Sequence, residues 1–241
     1  AGKSSLMRTI STLQEPSEGT IFLDDLDVIN NKEDMRKVLG YLPQDFGFYP
    51  KVSAEDMLHH FAILKGISNK NERKEICDAL LHQTNLFEVR KRYIGDYSGG
   101  MRQRFGIAQA LLGNPKVVIV DEPTAGLDPQ ERNRFHNLLS EVGENIIVIL
   151  STHIVEDVRN LCSKMAVMNL GQVMFEGKTT DSLELLKGKI YSTIIAKEEL
   201  EEFRKQHNVI STKVSEGKII AHVINDSLPN SNFTAVNADL E

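Results

Sequence analysis

The stretch Val117-Val118-Ile119-Val120-Asp121-Glu122 decides the fold, because four consecutive apolar residues run directly into two carboxylates. An apolar run without polar alternation is typical of a strand that is buried on both faces of a parallel sheet. Two more apolar runs, at 146–150 and 165–168, follow it, and helical patterns at 129–142 and 154–162 lie between the three runs. Strands that alternate with helices in this way predict an α/β core built on a parallel sheet.

The pattern around this core predicts three additions to it. Residues 19–29 contain two short apolar runs separated by acidic residues, which predict a tight hairpin and with it a partial antiparallel β subdomain. Residues 53–112 follow a helical period behind a capping signal, so we expect an inserted helical subdomain at about 50–113. Three strand-like runs and a charged helix then predict a small α+β appendage over 188–241.

The composition is that of a globular chain, and it disfavours several classes of protein. The 241 residues include 28 Lys+Arg and 34 Asp+Glu, a formal net charge of −6, so phosphates would repel the chain and no nucleic-acid partner is expected. No apolar run approaches the ~18 to 20 residues that a membrane-spanning helix needs. Cys77 and Cys162 have no Cys or His at metal-ligand spacing, so we expect two buried, reduced thiols.

The first candidate site is Gly2-Lys3-Ser4-Ser5, at the start of an amphipathic helical pattern. It matches the end of the phosphate loop G-x-x-x-x-G-K-[ST], so we expect the chain to be truncated within that loop. Amide groups at a helix start and a lysine together bind phosphate, so Gly2 would let the backbone approach and Lys3 would contact the β and γ phosphates of a nucleotide. The Ser4 hydroxyl would coordinate Mg²⁺. Taken alone, the motif also fits a chance helix cap.

The second candidate site is the carboxylate pair Asp121-Glu122 at the end of the buried strand. Ligands of open α/β sheets bind at the carboxyl ends of the strands, so both acids are expected to face the site. Asp121 would hold Mg²⁺, directly or through water, and Glu122 would accept a proton from the water that attacks the γ phosphate. Taken alone, the pair also fits solvated acids that precede a turn.

The third motif is Tyr97-Ser98-Gly99-Gly100-Met101-Arg102-Gln103-Arg104, which places a hydroxyl and two glycines at a helix start. This is a second phosphate-binding nest in one chain. Head-to-tail pairing of two chains would let each nest close on the nucleotide that the other chain holds. With this motif the sequence resembles the ATP-binding cassette (ABC) family, whose signature is usually L-S-G-G-Q. The Ser-Gly-Gly matches that signature, whereas Tyr97 and Met101 depart from it.

The resemblance covers about residues 1–187 and implies an ABC ATPase domain with a P-loop NTPase core. It implies that Gln44 senses Mg²⁺ and takes part in catalysis, and that His153 is the switch residue that contacts the γ phosphate. It places Asp128 in the loop that links the two active sites. The signature residues are implied to contact nucleotide: Ser98, Gly99 and Gly100.

The resemblance further implies an ATPase that powers transport. Two copies, identical or different, would sandwich two ATP molecules, and their opening and closing would move separate membrane subunits. The signature and the phrase 124–129 are similar to ATPase subunits of bacterial ABC-2 type exporters. This implies export, and a cytoplasmic protein that is peripheral on the cytoplasmic face of the plasma (inner) membrane. The aromatic residues Phe46, Phe48 and Tyr49 are expected either to face the membrane partner or to pack within the helical subdomain.

The main alternative is a soluble ABC-type ATPase that acts on ribosomes or DNA. Members that act on DNA carry a long coiled-coil insertion before the signature, but the interval after Gln44 holds only a helical subdomain here. Members that act in translation carry two cassettes in one chain, and this sequence has one set of motifs. A pure interaction module without turnover is disfavoured by the complete set Lys3, Asp121, Glu122 and His153.

Overall fold

The computed structural model describes residues 2–45, 47–215 and 217–239. Their contacts divide them into two compact units. The first unit comprises the described residues of Ala1–Leu161 and Met168–Met174, and the second comprises those of Cys162–Val167 and Phe175–Glu241. The limits expected from the sequence, an ATPase domain at 1–187 and an appendage at 188–241, stay a prediction.

The first unit contains most of the helices and the parallel sheet. Its helices are α1 (Lys3–Ile10), α2 (Lys32–Val38), α3 (Ala54–Leu64), α4 (Lys70–Gln83), α5 (Gly99–Ala110), α6 (Pro129–Gly143) and α7 (Val155–Leu161). Its strands are β1 (Phe22–Leu23), β2 (Leu26–Asp27), β3 (Leu39–Leu42), β4 (Val117–Asp121) and β5 (Ile147–Ser151). Strands β1 and β2 form the expected antiparallel hairpin.

The parallel sheet has the order β3-β4-β5, with β4 in the centre. Every residue of β4 is buried because helices cover both faces of the strand. One face packs against α1 and α2, and the other packs against α5 and α6. The contacts are made by Val117 and Ile119 on the first face and by Val118 and Val120 on the second. This two-sided burial explains the absence of polar alternation in the run, and the predicted α/β fold class is confirmed.

The run at 165–168 does not join this sheet. It lies in β6 (Lys164–Asn169), which pairs with β7 (Gln172–Lys178) in a separate two-stranded sheet and has exposed or half-buried side chains. The connection Leu170-Gly171 has φ values of 49° and 82°, the left-handed backbone that suits a two-residue hairpin turn. The expectation of a third buried parallel strand was therefore wrong, because β6 pairs locally with its neighbour in sequence.

The helical subdomain is built as predicted from α3, α4 and α5 around a continuous apolar core. Its first helix begins after Ser53, whose hydroxyl accepts a hydrogen bond from the Asp56 amide at 3.1 Å.

Cys77 lies in the core of the helical subdomain, and burial raises the pKa of its thiol to about 11, which makes it unreactive. Cys162 is only partly buried, so the expectation of two buried thiols holds for one of them.

The second unit contains the expected α+β appendage. Helix α8 (Thr179–Leu186) precedes a sheet with the order β11-β8-β10-β9. Its elements are β8 (Ile190–Ile195), α9 (Leu200–Gln206), β9 (Val209–Ser215), β10 (Lys218–Ile224) and β11 (Thr234–Ala235). Phe203 of α9 packs on buried residues of β8 and β10. Among the residues that the structure describes, no helix is long and apolar enough to cross a membrane.

Candidate active site

The site begins at the N-terminus of α1. Gly2 has a φ of 105°, a left-handed conformation that glycine adopts without strain, and its carbonyl accepts the Leu6 amide at 3.0 Å. The first turn of α1 therefore presents amide groups that have no partner within the helix. Lys3 is half-buried, while Ser4 and Ser5 are exposed. Free amides beside a lysine side chain form a site that can accept an anion.

Asp121 ends β4 and is the buried acid of the site, with only 4% of its surface exposed. Its Oδ1 atom makes no hydrogen bond with the described residues, nor does the Oγ atom of Ser151, its neighbour in the parallel register. A buried carboxylate oxygen without a partner is costly, so its retention indicates a ligand. Burial and, next, the charge of Asp121 raise the pKa of Tyr41 on β3. The free oxygen fits a hard cation such as Mg²⁺.

Glu122 is the point where three of the predicted residues meet. Its φ of 48° lies in the left-handed region, which is strained for a residue with a side chain, and its amide donates to the Ser151 carbonyl at 2.8 Å. Its Oε2 atom accepts a hydrogen bond from Gln44 Nε2 at 3.2 Å. The Nδ1 atom of His153 lies 3.1 Å from the same oxygen. We call Gln44, Glu122 and His153 the Glu122 cluster.

The cluster forms because the carboxyl ends of three paired strands lie at one edge of the sheet. Gln44 follows β3, Glu122 follows β4 and His153 follows β5, and these strands are neighbours in parallel register. Within the described ranges, the side chains of Lys3 and Ser4 make no hydrogen bond or ion pair with the cluster. The three residues that follow the strands therefore meet at the Glu122 carboxylate, whereas the described side chains at the start of α1 form no direct bond with them.

The signature motif opens α5, where Ser98 Oγ accepts the Met101 amide at 3.2 Å as the helix cap. Gly99 lines a groove of about 450 Å³ together with Gln44 and the segment 125–127. Asp128 caps α6, since its Oδ1 atom accepts the Glu131 amide at 2.9 Å. The two predicted nucleotide-contacting segments thus lie near Gln44 in the same unit.

The two signature glycines differ in their surroundings. A Cβ atom on Gly100 would lie 2.2 Å from Oε2 of Glu131 and 2.8 Å from its Cγ, whereas a Cβ on Gly99 would have nothing nearer than 3.9 Å. Glu131 is held in place by Arg104, at 3.4 Å, and both side chains of this pair are largely buried. The glycine at 100 therefore makes room for the carboxylate that joins α5 to α6.

We expect Gly100→Ala to lower the free energy of unfolding by about 1–3 kcal/mol, because the methyl group displaces Glu131 and leaves Arg104 without its carboxylate. Gly99→Ala is the matched control, because it makes the same change in the same turn without the clash. Urea unfolding of both variants and the wild type measures the difference. Equal stability of the two variants would contradict the packing role given to Gly100.

Sequence reasoning missed two acidic residues that organise the site. Asp157 of α7 is fully buried and binds Thr124 and Thr152, which flank the cluster residues in sequence. Glu131 joins α5 and α6 through Arg104. Neither acid belongs to a motif, and each stands in a helix beside other polar residues, so the pattern gave no signal that would separate them from solvated acids.

A parallel sheet with helices on both faces, a glycine-lysine-serine helix start and an acidic pair after the central strand define a nucleoside triphosphatase of the P-loop class. The sequence profile of the family described as ABC transporter matches residues 1–125, more than half of the chain. This chain belongs to the ABC transporter family, and it contains the ATPase domain of that family.

Three curated relatives illustrate the similarity. The ABC transporter ATP-binding protein YxlF of Bacillus subtilis is 32% identical over 214 residues, which cover 89% of this chain and 70% of the relative. The probable multidrug ABC transporter ATP-binding protein YbhF of Escherichia coli is 32% identical over 192 residues, 79% of this chain and 33% of the relative. The methionine import ATP-binding protein MetN 1 of Pseudomonas putida is 34% identical over 187 residues, 75% and 56% of the two chains.

A solved structure gives the same assignment. The dimer of an ATP-binding cassette in a post-hydrolysis state, bound to ADP and Pi, superimposes with a TM-score of 0.65 at 26% identity and covers 73% of this chain and 80% of its own. The chain is therefore the ATP-binding part of an ABC transporter, and an ATPase acting on ribosomes or DNA is not favoured. The ABC-2 exporter group is a finer distinction, and it stays a prediction.

Proposed function

We propose that this protein is the ATPase subunit of an ABC exporter, in which Glu122 is the general base for the attacking water. The observation that carries the proposal is the convergence of Gln44 and His153 on one carboxylate oxygen of Glu122. A base must lie within hydrogen-bond reach of the water that it activates, and its partners fix its orientation. His153 would contact the γ phosphate, and Gln44 would sense the metal.

The phosphates of ATP would bind at the start of α1, through Gly2, Lys3, Ser4 and Ser5. Ser4, Gln44 and Asp121 would hold Mg²⁺, and the free, buried Oδ1 atom of Asp121 supports this donor set. When bound, Mg²⁺ neutralises phosphate charge that develops during transfer. The protein's own contribution is to hold the attacking water and the phosphates in line.

We propose that two copies, identical or different, pair head to tail, so that Ser98, Gly99 and Gly100 of one copy contact the nucleotide held by the other. The open surroundings of Gly99 support this role, because the nearest described atom to a Cβ at this position would be 3.9 Å away, in ordinary contact. Asp128 follows the loop that lines the same groove, and it would lie at the junction of the two sites. The dimeric cassette among the solved relatives agrees with this arrangement.

The membrane subunit would dock in a second groove of about 690 Å³, formed between the core and the helical subdomain. Of the three aromatic residues expected either to face the partner or to pack within the subdomain, Phe46 lies outside the described residues. Tyr49 is exposed but does not line the groove. Phe48 lines the groove but also packs edge-on against Phe105, with ring centroids 5.0 Å apart, so it also serves the subdomain core.

Leu64 lines the groove and is 71% exposed. A groove beside the Gln44 loop, lined by both apolar and charged residues, would transmit closure of the cassette to the membrane subunit. The protein would then lie on the cytoplasmic face of the membrane.

We expect Leu64→Asp to reduce the amount of full-length protein retained on washed membranes of its own cells by about tenfold or more, because docking would remove the new charge from water and lose the apolar contact of Leu64. Ile63→Asp is the matched control, since Ile63 is 51% exposed on the same helix but does not line the groove. Nucleotide binding by the purified variants checks that both are folded.

Equal membrane retention of the two variants would contradict the docking surface. Recovery of the wild type with ribosomes instead of membranes would support the alternative of an ATPase outside transport. Export is proposed from the form of the signature and of the segment 124–129, and the probable multidrug relative agrees with it. Loss of the gene should then raise cellular retention of a dye or drug, whereas reduced uptake of a nutrient such as methionine would indicate import.

A further inference from the structure

Asp157 of α7 is a fully buried carboxylate that the proposed reaction does not use. Its Oδ2 atom accepts hydrogen bonds from the hydroxyls of Thr124, at 2.5 Å, and Thr152, at 2.7 Å. Its Oδ1 atom lies 2.8 Å from Nε2 of His136 on α6, so that nitrogen donates to the carboxylate. Both oxygens are therefore satisfied by three side chains from three different segments.

The two threonines stand next to residues of the Glu122 cluster in sequence. Thr124 lies two residues after Glu122, in the turn where the Ala125 amide donates to the Glu122 carbonyl at 3.3 Å. Thr152 directly precedes His153, and its hydroxyl also accepts the Ile154 amide at 2.9 Å. One carboxylate oxygen thus ties the segment after β4 to the segment after β5. Each segment carries one of the three cluster residues, Glu122 in the first segment and His153 in the second.

We propose that Asp157 is a positioning residue, which holds Glu122 and His153 at their catalytic separation through Thr124 and Thr152. The proposal rests on the proposed roles of Glu122 and His153. A buried carboxylate is destabilising unless its hydrogen bonds compensate for the lost water, and this network supplies three of them. His136 occupies Oδ1 and leaves Oδ2 to the two hydroxyls. The backbone of Glu122 is strained, so it depends on such support from its surroundings.

Thr124→Val tests this role, because valine keeps the shape of the side chain and removes the hydroxyl. The measurement is steady-state MgATP hydrolysis by the whole protein. We expect kcat to fall about tenfold or more, with KM changed by less than about twofold, since the change misplaces the base and leaves the phosphate contacts intact. Thr124→Ser retains the hydroxyl and should restore kcat to near the wild-type value, even though it packs less well than valine.

Thr84→Val is the matched control. Thr84 is as fully buried as Thr124, but its hydroxyl donates to the Leu80 carbonyl within α4, away from the site. It should leave kcat within about twofold of the wild type. Thr152→Val removes the second hydroxyl and should reproduce the loss seen with Thr124→Val, which provides the test if one variant is too unstable to purify.

Three results separate the possibilities. A loss of kcat in both site variants, with rescue by serine and with an unaffected control, supports the positioning role. Wild-type kcat in Thr124→Val and Thr152→Val, or a loss that serine does not rescue, would overturn it while the proposed function stands. If Glu122→Gln retains full turnover, the proposed base is wrong, and the positioning role fails with it.

Discussion

Glu122→Gln is expected to lower kcat for MgATP hydrolysis by about 10³-fold and to leave nucleotide binding nearly unchanged. A positioned general base contributes typically 10²- to 10⁴-fold, and an amide cannot accept the proton of the attacking water. Glutamine has nearly the same shape as glutamate, so the contact with Gln44 and the packing of the loop should persist. The variant should therefore bind ATP, form the closed dimer and remain in it. Single-turnover kinetics and size-exclusion chromatography with MgATP measure the two effects.

Glu156→Gln is the matched control for this prediction. The same substitution is made at Glu156 on α7. This side chain pairs with Arg132 at 3.0 Å on the surface and takes no part in the cluster. Surface ion pairs contribute little, so this variant should hydrolyse ATP at the wild-type rate and show no trapped dimer. Turnover of Glu122→Gln at the wild-type rate, or a variant that stays monomeric with MgATP, would count against Glu122 as the base.

The sequence was sufficient to predict the elements that carry the site, because each has a local signal. The apolar run of β4 reports burial on both faces, which the structure explains by helices on either side. The side chains of Ser53, Ser98 and Asp128 precede helical patterns, and each caps its helix. Such signals depend on neighbouring residues only, so they are visible without the fold.

The geometry of the site depends on partners that are distant in sequence. Gln44, Glu122 and His153 lie in three separate segments, and only the parallel pairing of their strands brings them to one carboxylate oxygen. The resemblance to a family implied their roles, but neither composition nor periodicity contains the distances. The left-handed backbone of Glu122 was also unpredictable, since nothing in its neighbours favours that conformation.

Asp157 shows a second limit of pattern reading. In the sequence it is one acid among polar residues at the start of a short helix, where a solvated side chain is the usual expectation. In the fold it is fully buried, because Thr124, His136 and Thr152 approach it from three other segments. The wrong prediction that β6 is a buried parallel strand shows the same limit. An apolar run does not specify which strand will pair with it.

Gly99→Asp is expected to abolish turnover without unfolding the chain. The new carboxylate is tolerated in the single chain, but it repels the nucleotide in the closed dimer. In the single chain, a Cβ atom at position 99 would lie no closer than 3.9 Å to any described atom, so the turn has room for a side chain. The residue is the first of α5, and an acid in the first turn of a helix interacts favourably with its dipole by about 0.3–1 kcal/mol. The variant should therefore be as stable as the wild type, or slightly more stable.

In the closed dimer, the same carboxylate would face the γ phosphate held by the other copy. Like charges about 4 Å apart repel by roughly 4 kcal/mol at an effective dielectric constant of 20, which corresponds to about three decades in the dimerisation equilibrium. Gly99→Asn is the matched control, because asparagine has the same size as aspartate but carries no charge. It should dimerise and hydrolyse ATP far better than the aspartate variant.

Two measurements test this prediction on the same samples. Thermal unfolding without nucleotide should place Gly99→Asp at or above the wild type, while sedimentation of the variant in the Glu122→Gln background with MgATP should show monomers. Titration of nucleotide into the monomer should give a wild-type dissociation constant, since the phosphate contacts of one chain are its own. A loss of monomer affinity as large as the loss of turnover would mean that the signature contacts the nucleotide of its own chain, and the head-to-tail sandwich would then be wrong.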